Sequence, residues 1–161
     1  MADIKVLFVC LGNICRSPAA EAVMTTLVKQ HDLADRISCD SAGTSGNHEG
    51  EPADPRTIAH AKYRGHTVTS ISRRFNPKED FIKFDYILAM DDHNFEMLRQ
   101  LDSNNIFYEK IFKMTDFATH KLFTHVPDPY YEGPEAFETV MDILEDACLG
   151  LLEKIKASHI K

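Results

Sequence analysis

The chain has 161 residues, of which 43% are hydrophobic, and a formal net charge of −7 at pH 7. That length fits one domain with a buried core, so we expect a single domain over residues 1–161. The acidic balance, the absence of a bilayer-length apolar run and the absence of a signal-peptide pattern predict a cytoplasmic protein that neither binds nucleic acid nor inserts into membranes.

The first predicted strand runs directly into a loop that suits an anion. Residues 4–9 form a segment that is apolar apart from Lys5 and rich in β-branched residues, as in a strand buried on both faces, and residues 10–18 follow at once. Ser17 can cap a helix, and Pro18 suits the first helical position because that position needs no amide hydrogen. The loop amides and the positive end of the helix dipole then converge on one point, which favours a bound anion.

Strands and helices alternate along the rest of the chain. The predicted strands after the first cover residues 37–41, 84–90 and 108–114. The predicted helices run from Pro18 to about residue 30, over 55–64, from Asp91 or Asp92 to residue 101, and along the apolar face 137–155, with a polar loop over 115–133. This order predicts an α/β domain with a mainly parallel sheet, in which ligands bind beyond the carboxyl ends of the strands. Cys10, Ser41 and Asp91 fall at such ends, so we expect them to crowd one edge.

Cys10 and Arg16 place a candidate nucleophile and a fork of positive donors around the anion. The loop amides and Arg16 should favour the thiolate form of Cys10, which can attack phosphorus and later leave from a phosphocysteine. Arg16 can bind two phosphoryl oxygens and stabilise the charge that develops on them. The alternative for a lone cysteine is a buried strand end. An arginine in a first helical turn, however, is unfavourable unless an anion is present.

Three other residues of the loop suit the same site. Gly12 permits close approach of the backbone. Asn13 tolerates a left-handed backbone, and its amide can tie the loop together. The Ser17 hydroxyl can either cap the helix or hydrogen-bond the Cys10 sulfur.

Asp128 is the candidate general acid. Cleavage of a phosphate ester by a thiolate needs a proton for the leaving oxygen, and Asp128 lies between Pro127 and Pro129, which stiffen its backbone. Tyr130 and Tyr131 can flank a planar aromatic substrate. Alternatively, the Asp-Pro pair is only a turn and the tyrosines are packing residues.

The sequence carries no spacing typical of a metal site. The four cysteines lack the CxxC spacing of a zinc site, and the eight histidines are scattered. We therefore expect neither a metal nor a cofactor.

Together, these segments resemble the low-molecular-weight protein tyrosine phosphatases along nearly the whole chain. The resemblance rests on residues 10–18 as a phosphate loop, 40–43 as a second-strand segment, 84–91 as a third strand with its turn, and 128–131 as a general-acid segment. It implies a three-layer, flavodoxin-like doubly wound fold, with a four-stranded parallel sheet flanked by helices. It also implies Cys10 as nucleophile, Arg16 as phosphate clamp and Asp128 as general acid.

The resemblance extends to binding and support residues. Those implied in phosphate or substrate binding are Leu11, Gly12, Asn13, Ile14, Cys15, Ser17, Tyr130 and Tyr131. Those implied in hydrogen-bonded support of the loop are Asn13, Ser17, Ser41 and Asp91. The implied substrates are phosphotyrosine-containing proteins or small aryl phosphates, and we expect a monomer or weak dimer.

Ile14 and Cys15 carry two finer implications of the resemblance. Related phosphatases that act on phosphoarginine typically carry threonine at the position of Ile14, so the resemblance favours phosphotyrosine. Cys15 resembles the family's second loop cysteine, which can form a reversible disulfide with the nucleophile. The alternative for Cys15 is a small buried filler.

Two departures from the family pattern bear on the pocket. The family often carries an aromatic residue near the position of Asn47, and residues 45–48 have none. Ser70 stands where a histidine commonly precedes the basic pair Arg73 and Arg74, which predicts a changed support network around Asn13.

Two other functions share parts of this pattern. A thiol-dependent arsenate reductase on the same scaffold needs further cysteines, usually a pair after the third strand, and residues 81–100 contain none. A phosphate-binding or phosphocarrier module has no use for a leaving-group acid, so Arg16 and Asp128 together argue against it. The favoured interpretation is metal-independent hydrolysis of phosphate monoesters through a phosphocysteine.

Overall fold

A parallel four-stranded sheet forms the centre of the molecule. The computed structural model describes residues 3–160. Its strands are β1 (Ile4–Cys10), β2 (Ile37–Gly43), β3 (Tyr86–Ala89) and β4 (Ile111–Lys113). They lie in the order β2-β1-β3-β4, and every pairing is parallel. The predicted α/β fold with a four-stranded parallel sheet is confirmed.

Helices cover both faces of the sheet. They are α1 (Arg16–Gln30), α2 (Pro55–Tyr63), α3 (Asp80–Lys83), α4 (Asp92–Leu101) and α5 (Pro134–His159). Helices α1, α2 and α5 contribute to one hydrophobic core, and α3 and α4 contribute to a second one on the opposite face. None of the helices within residues 3–160 is long and apolar enough to cross a membrane.

Strand β1 supplies side chains to both cores in alternation. Val6 and Phe8 lie in the core beneath α1 and α5, whereas Leu7 and Val9 lie in the core beneath α3 and α4. All four are fully buried. A central strand covered on both faces needs apolar residues on both, which is why residues 6–10 are continuously apolar rather than alternating. Its carboxyl end therefore holds Cys10 on a rigid support.

The predicted boundaries differ from the structure at short elements. Strand β3 covers four residues rather than the predicted 84–90. Strand β4 covers three residues rather than the predicted 108–114, because 3₁₀ turns at Tyr108–Lys110 and Met114–Phe117 flank it. The single-turn helix α3 lies where no element was predicted. Four residues are too few to show a periodic pattern.

Gly150 in α5 permits close packing of the turn that follows β4. A Cβ atom on Gly150 would lie 1.8 Å from the Phe117 carbonyl oxygen. A glycine inside a helix costs about 1 kcal/mol relative to alanine. Here any larger residue would force the two backbones apart, so the contact accounts for the glycine.

Candidate active site

The loop between β1 and α1 turns tightly around the Cys10 sulfur. Cys10 ends β1 and Arg16 begins α1, so five residues make the turn. Asn13 has a φ of 57°, in the left-handed region that asparagine tolerates. The end of β2 also lies close, since a Cβ on Gly43 would be only 2.7 Å from a carbonyl oxygen of this loop. The backbone is thus fixed from both sides.

The Cys10 sulfur is buried among hydrogen-bond donors. The Asn13 amide donates to Sγ at 3.3 Å, and the Ser17 Oγ lies 3.0 Å from Sγ. Asn13 Nδ2 also donates to the Ser17 Oγ at 2.8 Å. The Ser17 proton is then left to point at the sulfur or at the Ala42 carbonyl, 3.4 Å away. The sulfur therefore has two hydrogen-bond partners within the loop and the first turn of α1.

The prediction that Ser17 caps α1 was wrong, because the helix begins one residue before it. Cys15 stands at the N-cap without a side-chain capping bond, and Ser17 and Pro18 are the second and third residues of the helix. Pro18 is still accommodated, since amides of the first turn have no intrahelical acceptor. The Ser17 hydroxyl is used at the sulfur, which is the second of the two roles that the sequence allowed.

The segment that precedes α3 supports the outer side of the loop. Ser72 Oγ donates to the Gly12 carbonyl at 3.0 Å, and the Arg73 amide donates to Asn13 Oδ1 at 3.0 Å. Ser70 makes no hydrogen bond to the loop within the described residues. The support around Asn13 therefore comes from the backbone of Arg73 and from Ser17.

The structure does not place Ser41 in this network. Its hydroxyl donates to Glu21 Oε1 on α1 at 2.6 Å, and burial raises the pKa of Glu21 although the Ser41 hydroxyl opposes that shift. The next residue, Ala42, contacts Ser17 through its carbonyl. Ser41 thus holds α1 against β2, and the predicted direct support of the loop by Ser41 was wrong.

Arg16 is buried, and its hydrogen bonds are made by Nη1. Its Nη1 donates to Asp91 Oδ2 at 2.6 Å and to the Val126 carbonyl at 3.0 Å. Asp91 in turn caps α4 through the Asn94 amide. Burial would raise the pKa of Asp91, but the Arg16 hydrogen bond, the Asn94 amide and the Arg16 charge together outweigh burial and lower it. Asp91 stays ionised and orients the guanidinium.

Asp128 lies on an irregular stretch, residues 127–133, which we term the acid segment. Its carboxylate is 44% exposed, and Oδ2 lies 3.7 Å from Arg16 Nη2. Its Oδ1 accepts a hydrogen bond from the Tyr130 amide at 3.1 Å, which closes a local turn. The carboxylate is therefore near the clamp and open to solvent.

One pocket brings together most of the predicted site residues. Its lining consists of Cys10, Leu11, Gly12, Ile14, Cys15, Arg16, Ser45, Asn47, His48, Asp128, Tyr130 and Tyr131. Asn13 and Ser17 lie behind this surface against the sulfur, and Asp91 lies behind Arg16. Cys10 and Asp91 meet at one edge of the sheet as expected, whereas Ser41 faces α1.

Three residues that the sequence did not predict for the site, Ser45, Asn47 and His48, also line the pocket, and His48 contributes a ring. Its ring reaches Gly12, where an added Cβ would lie 3.0 Å from Cδ2, and its Nδ1 lies 3.0 Å from Glu51 Oε2. The His48 ring is 6.2 Å from the Tyr130 ring. The segment was expected to leave the pocket without a ring wall, yet an imidazole one residue after Asn47 supplies one. The signal was a histidine beside the position where the family carries an aromatic residue.

Cys15 differs from Cys10 in its surroundings. It is buried at the start of α1, and burial, opposed by a Thr57 hydrogen bond, raises its pKa to about 12. Cys15 is therefore a neutral thiol at physiological pH.

The side chains that could bind a metal do not form a metal site in the described part of the chain. All four cysteines are free thiols, and burial raises the pKa of Cys39 to about 12. Cys148 is fully buried in α5. Within residues 3–160, no group of three or more His, Cys, Asp or Glu side chains is arranged to hold a metal ion.

Comparison with known proteins gives a consistent assignment. The sequence profile of the family described as low molecular weight phosphotyrosine protein phosphatase matches residues 5–160. The chain is 41% identical over 151 residues to the human low molecular weight phosphotyrosine protein phosphatase. The aligned region covers 93% of this chain and 94% of the human protein.

Solved structures agree with the sequence match. A protein tyrosine phosphatase from Entamoeba histolytica, crystallised with Hepes in its active site, superposes with a TM-score of 0.91 at 51% identity, covering 96% of this chain and 97% of the other. A Drosophila arginine phosphatase superposes with a TM-score of 0.89 at 31% identity, covering 96% and 99%. The chain therefore belongs to the low-molecular-weight protein tyrosine phosphatase family, a family of cysteine-dependent enzymes.

Proposed function

We propose that the protein hydrolyses phosphotyrosine in proteins, or small aryl phosphates, through a phosphocysteine on Cys10 and without a metal. The observation that carries the proposal is that Cys10, Arg16 and Asp128 line one pocket. They provide a nucleophile, an anion clamp and a proton donor. Each charge that develops in the reaction has a partner among these residues, so the chemistry needs no metal.

In the first step the Cys10 thiolate attacks phosphorus. The P–S bond forms as the bond from phosphorus to the phenolic oxygen breaks, and Asp128 gives its proton to that oxygen. The loop amides and Arg16 hold the non-bridging oxygens. Tyrosine leaves as a neutral phenol and Asp128 becomes a carboxylate.

In the second step water cleaves the phosphocysteine. Asp128 now accepts a proton from the water as its oxygen bonds to phosphorus, and the P–S bond breaks. The departing thiolate is received by the Asn13 amide and the Ser17 hydroxyl, which lie 3.3 and 3.0 Å from Sγ. Phosphate is released and the enzyme returns to its first state.

The free edge of Arg16 fits a phosphoryl group. Nη1 is occupied by Asp91 and Val126, whereas Nε and Nη2 donate to no other group within residues 3–160. Nε and Nη2 form the parallel pair of donors that bind two oxygens of a phosphoryl group. Fixing Nη1 behind the site therefore aims the other edge into the pocket.

The walls of the pocket favour an aryl group. The His48 and Tyr130 rings flank the opening, and Ile14 adds an apolar surface beside the loop. The resemblance associates isoleucine at this position with phosphotyrosine. The pocket is less compatible with arsenate reduction, which needs further cysteines beside the nucleophile. Cys15 lines the pocket with Cys10, but Cys39 and Cys148 do not.

Cys15 provides a reversible protection of Cys10 in this proposal. Oxidation of the Cys10 thiolate by a peroxide gives a sulfenic acid, and attack by the Cys15 thiol releases water and forms a disulfide. A cellular dithiol then returns both to thiols. Such chemistry, and four free cysteines, suit a reducing compartment such as the cytoplasm.

The test is hydrolysis of p-nitrophenyl phosphate by freshly reduced enzyme with excess chelator, beside Cys10→Ser. Turnover that resists the chelator and is lost in the variant supports the proposal. No turnover by the wild type, or retained turnover in Cys10→Ser, contradicts it. Parallel assays with a phosphotyrosine peptide and a phosphoarginine peptide identify the substrate class, and the phosphotyrosine peptide is expected to be the better substrate.

A further inference from the structure

The acid segment has few attachments to the rest of the protein. It contains no helix or strand, and its backbone hydrogen bond from Glu132 to Pro129 is internal. At its end the segment continues into α5, where the Ala136 amide donates to the Gly133 carbonyl at 3.1 Å. In the part of the chain that the structure describes, one side-chain hydrogen bond joins residues 127–133 to another element: Arg56 Nη2 donates to the Tyr130 carbonyl at 2.9 Å. Arg56 lies in the first turn of α2.

The guanidinium of Arg56 is itself fixed by Asp54. Nε donates to Asp54 Oδ1 at 3.0 Å, and Nη2 donates to Oδ2 at 2.9 Å, which is a bidentate pair. Asp54 is buried and also caps α2 through the Arg56 amide. A bidentate pair on a buried carboxylate holds the orientation of the fork, so the remaining donor of Nη2 is aimed rather than free to rotate.

Two aromatic rings hold the same guanidinium. Its Cζ lies 4.7 Å from the centre of the Phe137 ring and 5.5 Å from the centre of the Tyr130 ring. Both distances allow a cation–π attraction. Phe137 belongs to α5 and Tyr130 to the acid segment, so Arg56 contacts the acid segment through both a ring and a carbonyl.

Asp54 connects this arrangement to the nucleophile. Its backbone amide donates to the Ile14 carbonyl in the phosphate loop at 2.9 Å. A continuous path therefore runs from Ile14 through Asp54 and Arg56 to Tyr130, two residues from Asp128.

We propose that Arg56 is a positioning residue that sets the place of Asp128 relative to the leaving oxygen. The inference rests on the proposed function and concerns the same site. Arg56 does not reach the reacting atoms; it acts by fixing the acid segment against the phosphate loop. Because a displacement of about 1 Å can cost about a hundredfold in rate, the side-chain hydrogen bond from Arg56 matters to proton transfer.

The test measures kcat/KM of Arg56→Met and Arg56→Lys on two aryl phosphates. Phenyl phosphate has a poor leaving group that needs the acid, and p-nitrophenyl phosphate has a good one that leaves with little help. Arg56→Met should lose about tenfold on phenyl phosphate and less than about threefold on p-nitrophenyl phosphate. Arg56→Lys should fall between wild type and Arg56→Met, since one ammonium cannot serve both Asp54 and the Tyr130 carbonyl.

Arg99→Met is the matched control. Arg99 also lies over an aromatic ring, with Cζ 5.7 Å from the centre of the Phe95 ring, but α4 does not line the pocket. This variant should leave both substrates unchanged. A double variant, Arg56→Met with Asp128→Asn, should lose nothing beyond Asp128→Asn alone, since the acid that Arg56 positions is gone.

Equal losses on both substrates in Arg56→Met, or a further loss in the double variant, would overturn the positioning role. Arg56→Lys keeps a cation at the start of α2 and provides the same comparison if Arg56→Met does not fold. Failure of the proposed function has a different signature, namely no p-nitrophenyl phosphate turnover in the wild type or full turnover in Cys10→Ser.

Discussion

The phosphate loop and the acid segment lie on either side of one pocket but are held very differently. In the loop, the Cys10 sulfur has two hydrogen-bond partners, and Arg16 is only 3% exposed with Nη1 bound to two acceptors. In the acid segment, Asp128 is 44% exposed, and Arg56 provides the one side-chain hydrogen bond that the segment receives from another element in the described part of the chain.

This difference separates binding from proton transfer. The phosphate loop is formed before substrate arrives, so its donors cost no reorganisation when they meet a phosphoryl group. The acid must meet leaving groups of various shapes, and it sits on a segment that solvent reaches. Changes in the loop should therefore weaken phosphate binding and rate together, whereas changes in the acid segment should alter rate according to the leaving group.

Arg16→Lys is expected to have the largest effect. A lysine cannot hold Asp91 and Val126 at one end while presenting two donors to phosphate. We expect kcat/KM for p-nitrophenyl phosphate to fall by about a thousandfold, with weaker inhibition by inorganic phosphate. Steady-state kinetics with phosphate inhibition measure both, and circular dichroism checks the fold. A loss below about tenfold would contradict the clamp role.

Asp128→Asn should have the next largest effect, and the size of its loss in kcat/KM should depend on the substrate. Phenyl phosphate should lose about a hundredfold in kcat/KM, because its leaving oxygen needs the proton. The loss on p-nitrophenyl phosphate should be much smaller, and inhibition by phosphate should be unchanged because the loop is intact. The same fold loss on both substrates would remove Asp128 from the acid role.

Ser17→Ala tests the donors around the sulfur. A hydrogen bond to a charged group is worth about 1.5–3 kcal/mol, so we expect kcat to fall at least about tenfold as departure of the thiolate slows. Ser41→Ala is the matched control: Ser41 bonds Glu21 and not the loop, and this variant should retain kcat. Similar losses in both variants would show that the Ser17 contact at 3.0 Å from Sγ has no special role.

Asp91→Asn should give the smallest effect, and the effect should appear in how the free energy of unfolding changes with pH. Arg16 and the Asn94 amide lower the pKa of Asp91 against the opposing effect of burial. The unfolded chain therefore binds a proton on Asp91 more readily than the folded one. Its stabilisation is fully present above the ordinary aspartate pKa of about 3.9 and is lost as pH falls through the lower folded value.

The gap in unfolding free energy between wild type and Asp91→Asn should thus be constant near neutral pH and should narrow in acid. Urea unfolding at a series of pH values measures this gap. A gap that widens below the ordinary aspartate pKa would contradict the assigned ion pair.

The sequence was most predictive where a pattern repeats over many residues. Strand β1 is apolar from Val6 onward because two cores cover it, and α5 shows one apolar face over several turns. The three-residue strand β4 and the single turn α3 have no such repeat, so their bounds depend on tertiary contacts.

Within the site, residues of the phosphate loop were predictable because they are close in sequence. Ser17 was placed correctly near the sulfur but wrongly as a cap, since the cap depends on where the helix backbone begins. Ser41 was misassigned because its side chain faces α1. His48 and Arg56 reach the site only through the path of the chain after β2, which no local pattern specifies.

The most direct test of the account is identification of the covalent intermediate. Asp128→Asn, in which hydrolysis should be slow, is mixed rapidly with p-nitrophenyl phosphate, quenched in denaturant and digested for mass spectrometry. We predict a burst of nitrophenol equivalent to the enzyme, and one phosphoryl group on the peptide that contains Cys10; both should be absent in Cys10→Ser. A burst with the phosphoryl group on another residue, or turnover that survives Cys10→Ser, would contradict it.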